Sequence, residues 1–242
     1  IDQAVTKTTG MVNLGNMLQE QTGMVITNHV RNGVQIMGLN PDYTLILIDG
    51  QPMIGRVAGV LDLTRISVGN VQQVEVVKGP MSSLYGSEAL AGVINIITRK
   101  PASGLSGRAY SQFLERGPLE AQAEISYGGD VFDVAVFGNI KSSPAFSRTQ
   151  ILPNEFGFDT LTVPFSGFQD RTAQARIKWY PQSNLSLSAN IRLFGTSSEG
   201  VFIESFFGQV ASNKGSVVQN DASATLALEW THGKARLSAQ TY

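Results

Sequence analysis

The chain has 242 residues, a formal net charge of −1, 25 glycines and only 15% charged side chains, against about 25% in an ordinary soluble domain. So even a balance leaves no electrostatic footprint for nucleic acid. With no cysteine and only two distant histidines, His29 and His232, disulfides, thiolate metal sites and paired-histidine metal sites are excluded.

No apolar run nears the roughly 18 residues of a membrane helix. The opening "IDQAVTKTTG" lacks the basic start and apolar core of a signal peptide. The β-barrel remains as the one membrane option.

Taken in chain order, residues 1–99 mix two periodicities. In "VNLGNMLQEQTG", Val12, Leu14, Met17 and Leu18 predict a helix with Gly23 as its stop. "YTLILIDGQP" carries the uninterrupted apolar run Leu45 to Ile48 before an Asp-Gly turn, which predicts a strand buried on both faces. "GVLDLTRISVGN" allows a short helix, and "VQQVEVVKG" and "GVINIIT" predict two more strands. The mixture predicts a small α+β domain over 1–99.

From about residue 100 the pattern becomes strict alternation. Phe132, Val134, Val136, Gly138 and Ile140 oppose Asp133, Asn139 and Lys141. Ala173, Ala175, Ile177 and Trp179 oppose Asp170, Thr172, Gln174, Arg176 and Lys178. Leu185 to Leu193 and Ala222 to Trp230 repeat the pattern, and "KARLSAQTY" begins it again. Segments of about ten residues with one apolar and one polar face suit a lipid-facing barrel.

A soluble β-sandwich also alternates, so the connections arbitrate. "RGPLE", "GGD", "PQSN" and "HGK" read as short turns, whereas 142–168 and 197–220 read as long loops. Outer-membrane barrels have short periplasmic turns and longer extracellular loops. Tyr127, Trp179, Tyr180 and Trp230 lie beside short turns, where an aromatic girdle meets the membrane interface. Seven strands are predicted over 100–242, the last within "AQTY". Bacterial single-chain barrels carry an even number, and an open edge leaves backbone groups unpaired in lipid. The expectation is a fragment of a larger chain.

"VQIMGLNPDYTLILIDGQPMIG" and "VEVVKGPMSSLYGSEALAGVINIITRK", followed by barrel-like strands, resemble the TonB-dependent outer-membrane receptors. The resemblance implies an α+β plug domain over 1–99 and the first seven or so strands of a transmembrane β-barrel over 100–242. It also implies a complete plugged barrel of about 22 strands. It implies uptake of a scarce nutrient across the bacterial outer membrane, driven by the proton-motive force through TonB. Ferric siderophore is the first expectation for the cargo, with haem, cobalamin or a metal complex as alternatives. TonB is expected to grip a Ton box upstream of Ile1, so no residue here is assigned to it. The family commonly has Ile-Arg-Gly where this chain has Ile36-Met37-Gly38, which removes an arginine associated with plug–barrel contact.

By the same resemblance, the outward plug loops are 27–33 and 52–59. They offer Asn28, His29 and Arg31 from the first and Met53, Ile54, Arg56 and Val57 from the second as ligand contacts. His29 reads either as a haem ligand or as a solvated loop histidine. Arg31 and Arg56 suit an anionic ligand or open water. Met53 has no partner cluster and reads as packing rather than as a soft metal ligand. In the opening of the second block, Gly79, Gly86 and Gly92 permit tight bends, while Ser82, Ser83 and Ser87 suit many modest hydrogen bonds to a barrel wall.

No catalytic constellation stands out. "GTSSEG" at 195–200 has the wrong spacing for a nucleophile turn, "GSEALAG" is not a dinucleotide fingerprint, and neither a cofactor nor a resident metal is expected. Two competing classes stand beside the transporter. One is a signalling or structural barrel without transport; the other is a soluble all-β binding module.

Overall fold

The structure, a computed structural model, describes residues 14–19, 21–28, 32–53, 63, 69–113, 119–154, 157–165, 167–206, 209–232 and 235–241. Two compact units divide the chain, 1–106 with 126–135 and 107–125 with 136–242.

Helical spacing of Leu14, Met17 and Leu18 produces the helix Leu14–Gln19, and all three side chains are buried. Gly23, with φ of 76°, turns the chain into β1 (Met24–Asn28), which pairs antiparallel with β2 (Asn32–Ile36) from Met24↔Ile36 to Asn28↔Asn32. The apolar run becomes β3 (Thr44–Ile48), buried along its whole length. Ile46 and Ile48 enter one apolar cluster with the helix and β2, while Leu45 and Leu47 enter a second with Ala89 and Val93. Alternate side chains leave on opposite faces and both faces are covered, so Leu45 to Ile48 are all apolar, while the buried Thr44 hydroxyl donates to Val34 O at 3.3 Å.

β4 (Gln51–Pro52), β5 (Val71–Lys78) and β6 (Gly92–Thr98) complete a four-stranded sheet in the order β4-β3-β6-β5. β3 and β6 run parallel, from Thr44↔Gly92 to Ile48↔Ile96, and the other pairs are antiparallel. Of the segment 59–70 predicted to hold a short helix, only Leu63, Gly69 and Asn70 are described.

The alternating region forms a seven-stranded sheet from β7 (Gly104–Phe113), β8 (Leu119–Gly128), β9 (Phe132–Ser143), β12 (Gly167–Gln182), β13 (Leu185–Phe206), β14 (Gln209–His232) and β15 (Ala235–Thr241). These neighbour one another in chain order. β10 (Phe146–Asn154) and β11 (Gly157–Phe165) form a separate hairpin between β9 and β12.

That hairpin corrects the sequence reading, which took 142–168 for a loop. Residues 197–206 and 209–220 are likewise strand, since β13 and β14 stay in register up to Phe206↔Gln209. Beyond Leu193 the same face carries Gly195, Ser197 and Glu199, so no hydropathy contrast reveals the strand. Cross-strand backbone bonds form regardless of that contrast.

Short turns lie at 129–131 and 183–184. Tyr127 and Phe132 flank the first with ring centroids 5.3 Å apart. Trp179 and Tyr180 precede the second, and Trp230 lies at the same end, opposite Leu185 and Leu237. The aromatic residues therefore gather beside the short turns, as their spacing in the sequence predicts.

Candidate functional site

The two motif blocks meet in one place. The chain leaves β3 through Asp49 and Gly50, with φ of 52° and 81°, and a two-residue hairpin turn of type I′ needs positive φ at both. Aspartate tolerates that conformation better than most side chains, and here its carboxylate is also used. It accepts a bond from Thr98 N at 2.8 Å and another from Thr98 Oγ1 at 2.5 Å, pinning the end of β6.

Gly50 N donates to Asn95 Oδ1 at 3.0 Å, Asn95 Nδ2 donates to Glu75 Oε2 at 3.1 Å, and Gln73 Nε2 donates to Glu75 Oε1 at 2.9 Å. A polar chain thus runs from the β3–β4 turn across β6 to β5. Removing the carboxylate with Asp49→Ala is expected to destabilise this sheet by about 2–4 kcal/mol, since bonds to a charged acceptor are worth about 1.5–3 kcal/mol each and the turn loses a tolerant residue. Asp49→Asn, which keeps the turn conformation, costs less. Urea titration of the full-length protein with a fluorophore in this domain orders the two variants, and equal stability of Asp49→Ala and wild type refutes the clamp.

The glycine-rich break between β5 and β6 packs as a closed loop. Ser82–Tyr85 form one helical turn, and the loop is tied by Gly79 N to Ala91 O at 3.0 Å and Met81 N to Ala89 O at 2.8 Å. Ala91 N donates to Tyr43 O at 2.9 Å, joining the loop to the entry of β3. Gly92 is where smallness is obligatory. Its φ is 154°, and a Cβ there would lie 2.3 Å from the carbonyl oxygen of Val77 and 3.2 Å from Ile36 Cδ1. Ser82, Ser83 and Ser87 are exposed. Met37, at the position of the family's arginine, is exposed with φ of 53° in the turn after β2.

The ligand contacts expected from the sequence fall mostly outside the described residues. His29, Arg31, Ile54, Arg56 and Val57 lie there. Asn28 ends β1 opposite Asn32, so His29 and Arg31 belong to the connection of the β1–β2 hairpin. Met53 is half-buried against the plug core, and its amide donates to Ile46 O at 2.9 Å. Met53 is therefore placed as an edge of the core.

The seven-stranded sheet has its faces inverted relative to a soluble one. Ile125, Ile177, Ile191 and Leu226 are 64%, 48%, 53% and 60% exposed, while Glu120, Asp170, Gln174 and Thr225 on the opposite face are 3%, 1%, 5% and 5% exposed. Water would reverse that choice, because buried charges are costly and apolar exposure gains nothing. Hydrocarbon against the apolar face explains it.

The polar face is cross-bonded. Thr196 Oγ1 donates to Asp170 Oδ1 at 2.6 Å, Asn139 Nδ2 to Glu120 Oε1 at 3.0 Å, and Gln174 Nε2 to Asn190 Oδ1 at 3.1 Å. Lys178 Nζ lies 3.1 Å from Glu229 Oε2. Alternation had placed Asp170 and Gln174 on this face. Glu120 was missed because "RGPLE" was read as a turn, although the period-two pattern of β8 begins at Leu119.

Fold and faces together define a plug domain joined to strands of a transmembrane barrel. Residues 1–93 match the family model described as the TonB-dependent receptor plug domain. The siderophore receptor PirA from Acinetobacter baumannii is similar over 99% of this chain and 38% of its own, at 20% identity and a TM-score of 0.71. A mutant of the ferric enterobactin receptor PfeA from Pseudomonas aeruginosa is similar over 95% of this chain and 37% of its own, at 17% identity and a TM-score of 0.68. The FpvAI–pyocin S2 complex contains a chain matched over 99% of this one and 32% of its own, at 13% identity and a TM-score of 0.74. The chain thus spans well under half the length of these structures, and its residues 1–93 are similar to the plug domain of the TonB-dependent receptors.

Proposed function

We propose that this chain is part of a receptor that takes up a ferric siderophore across the bacterial outer membrane, coupled to the proton-motive force through TonB. The observation that carries the proposal is the union of a plug fold with a sheet whose apolar face is exposed and whose polar face is buried. The similar structures named as siderophore receptors support the choice of cargo. In this reading residues 1–99 are the plug and 100–242 supply the first strands of the barrel wall. The buried polar face lines a wet lumen, and TonB acts from the periplasmic side.

The ligand contacts proposed are Asn28, His29 and Arg31 on one plug loop and Met53, Ile54, Arg56 and Val57 on the other. Arg31 and Arg56 supply the positive charge that an anionic iron chelate requires, and Ile54 and Val57 supply apolar contact.

The test is uptake of radioiron chelates by cells lacking the receptor and complemented with the full-length gene. Uptake is expected to require the receptor and to stop when the proton-motive force is dissipated. The double variant Arg31→Ala with Arg56→Ala is expected to weaken chelate binding by tenfold or more, as loss of about 1.5–3 kcal/mol per charged contact implies. Unimpaired uptake without the receptor, or a haem absorption band in the purified protein, overturns the siderophore reading.

A further inference from the structure

The apolar face of the seven-stranded sheet is not uniform. A depression of about 770 Å³ crosses five neighbouring strands, floored by Ala121 and Ala123 of β8, Gly138 of β9, Ala173 of β12, Gly195 of β13 and Ala222 of β14. Ile140 and Leu193 stand at its sides. The register aligns Ala173, Leu193 and Ala222 in one row and Arg171, Gly195 and Asn220 in the next. Its volume lies within the range of about 300–1,000 Å³ typical of small-molecule sites. A Cβ on Gly138 would meet nothing within 4 Å, so the hollow above it is open.

One rim of the depression is polar, and on β12 it lies on the far side from the aromatic residues at the short turns. Arg171 is exposed on the same face as Ala173, Ala175, Ile177 and Trp179, and its Nη2 donates to Gln169 Oε1 at 2.7 Å. A guanidinium has five N–H donors in a planar fork, so one bond to Gln169 leaves donors to spare. Asn220 adds a polar group, its Oδ1 close over Gly195. Arg171 to Trp179 is nine residues of strand, within the length of about 9–11 residues that crosses a bilayer. Arg171 therefore stands where the hydrocarbon gives way to headgroups at the other interface. A cation held there faces the anionic oxygens of lipid phosphates, and the hollow beside it lacks the side chains that elsewhere fill the wall.

We infer that this depression is a binding site for a phosphate-bearing lipid of the outer leaflet, with an acyl chain laid over the alanine and glycine floor and the phosphate bonded to Arg171. The inference rests on the membrane reading of the sheet but goes beyond it, since general solvation by lipid requires neither the hollow nor the cation. The lipid is the occupant favoured over a second protein because the cavity pairs an apolar floor with one cation at headgroup height.

Full-length receptor in detergent, incubated with dioleoyl phosphatidic acid or with dioleoylglycerol, is examined by native mass spectrometry for retained lipid. Wild type is expected to retain the phosphate lipid in preference to the diacylglycerol. Arg171→Gln is expected to reduce retention of the phosphate lipid about tenfold, the loss of one charge-assisted contact, without changing that of the neutral one. Gly138→Leu, which fills open space with an apolar group, is expected to reduce both while leaving the folded barrel intact on a cold gel. Unchanged retention in both variants overturns the site. So does a dimer in wild type that Gly138→Leu dissociates, which would assign the hollow to a second copy. Release of the full receptor from membranes by salt alone would instead defeat the membrane reading itself, an outcome distinguishable from either.

Discussion

Gly92→Ala in the full-length receptor is expected to destabilise the plug strongly while the barrel still forms. The methyl group would start 2.3 Å from the carbonyl oxygen of Val77, and the obstacle is backbone, so no side chain can swing aside. Relief requires β5 and β6 to part at the point where Lys78 pairs with Gly92. The φ of 154° adds a second cost for any residue with a Cβ. Strain of about 1–3 kcal/mol and overpacking of about 1–3 kcal/mol add to roughly 2–6 kcal/mol, against a typical domain stability of about 5–15 kcal/mol.

Gly79→Ala and Gly86→Ala separate the two terms. Both glycines have positive φ, but a Cβ at either meets nothing within 4 Å. They should therefore lose only the conformational part, about 1–3 kcal/mol. Limited proteolysis of the plug in detergent ranks the three variants. A Gly92→Ala receptor as resistant as Gly79→Ala would show that the close approach does not hold the sheet together.

Ile191→Arg and Asn190→Arg are expected to differ sharply although they are adjacent on β13. Ile191 is 53% exposed on the apolar face, and arginine at the bilayer midplane of a barrel costs about 2–4 kcal/mol. Asn190 faces the other way, where Arg192 and Arg176 already stand among hydrogen-bonding groups. A cation there loses the bond from Gln174 Nε2 and faces Arg176 across the strand pair, together a cost of about 1–2 kcal/mol and still below that of Ile191→Arg. Equilibrium folding of the full receptor into phosphatidylcholine bilayers, followed by mobility on a cold gel, reads the difference. Equal penalties would refute the assignment of the exposed face to lipid.

Much of this architecture is legible in the sequence because two local rules carry it. The run Leu45 to Ile48 has no polar interruption, and only a doubly covered strand needs that. The alternation in 169–193 separates the faces of β12 and β13 residue by residue. What escaped was of two physical kinds. Where both faces of a strand carry a mixture of polar and apolar residues, as in 197–206 of β13 and 209–220 of β14, alternation has no contrast, and only backbone pairing makes the strand. Where partners lie far apart along the chain, as Asp49 and Thr98 do, no local pattern announces them. "LIDG" reads as a turn, yet the reason for its aspartate is written 49 residues later. Residue type alone, in the proposed contacts Arg31 and Arg56, narrows the ligand only to an anion.

The register of the plug also sets how the chain bears tension. A pull from the N-terminal side enters β1 at Met24, directly opposite Ile36, where the chain leaves β2. The load therefore falls on one rung at a time, and the hairpin peels open toward Asn28↔Asn32. β3 meets the same pull at Thr44, whereas its parallel partner β6 is held from the far end at Thr98. There the rungs from Thr44↔Gly92 to Ile48↔Ile96 are loaded together in shear. The fold thus places a compliant element ahead of a stiff one.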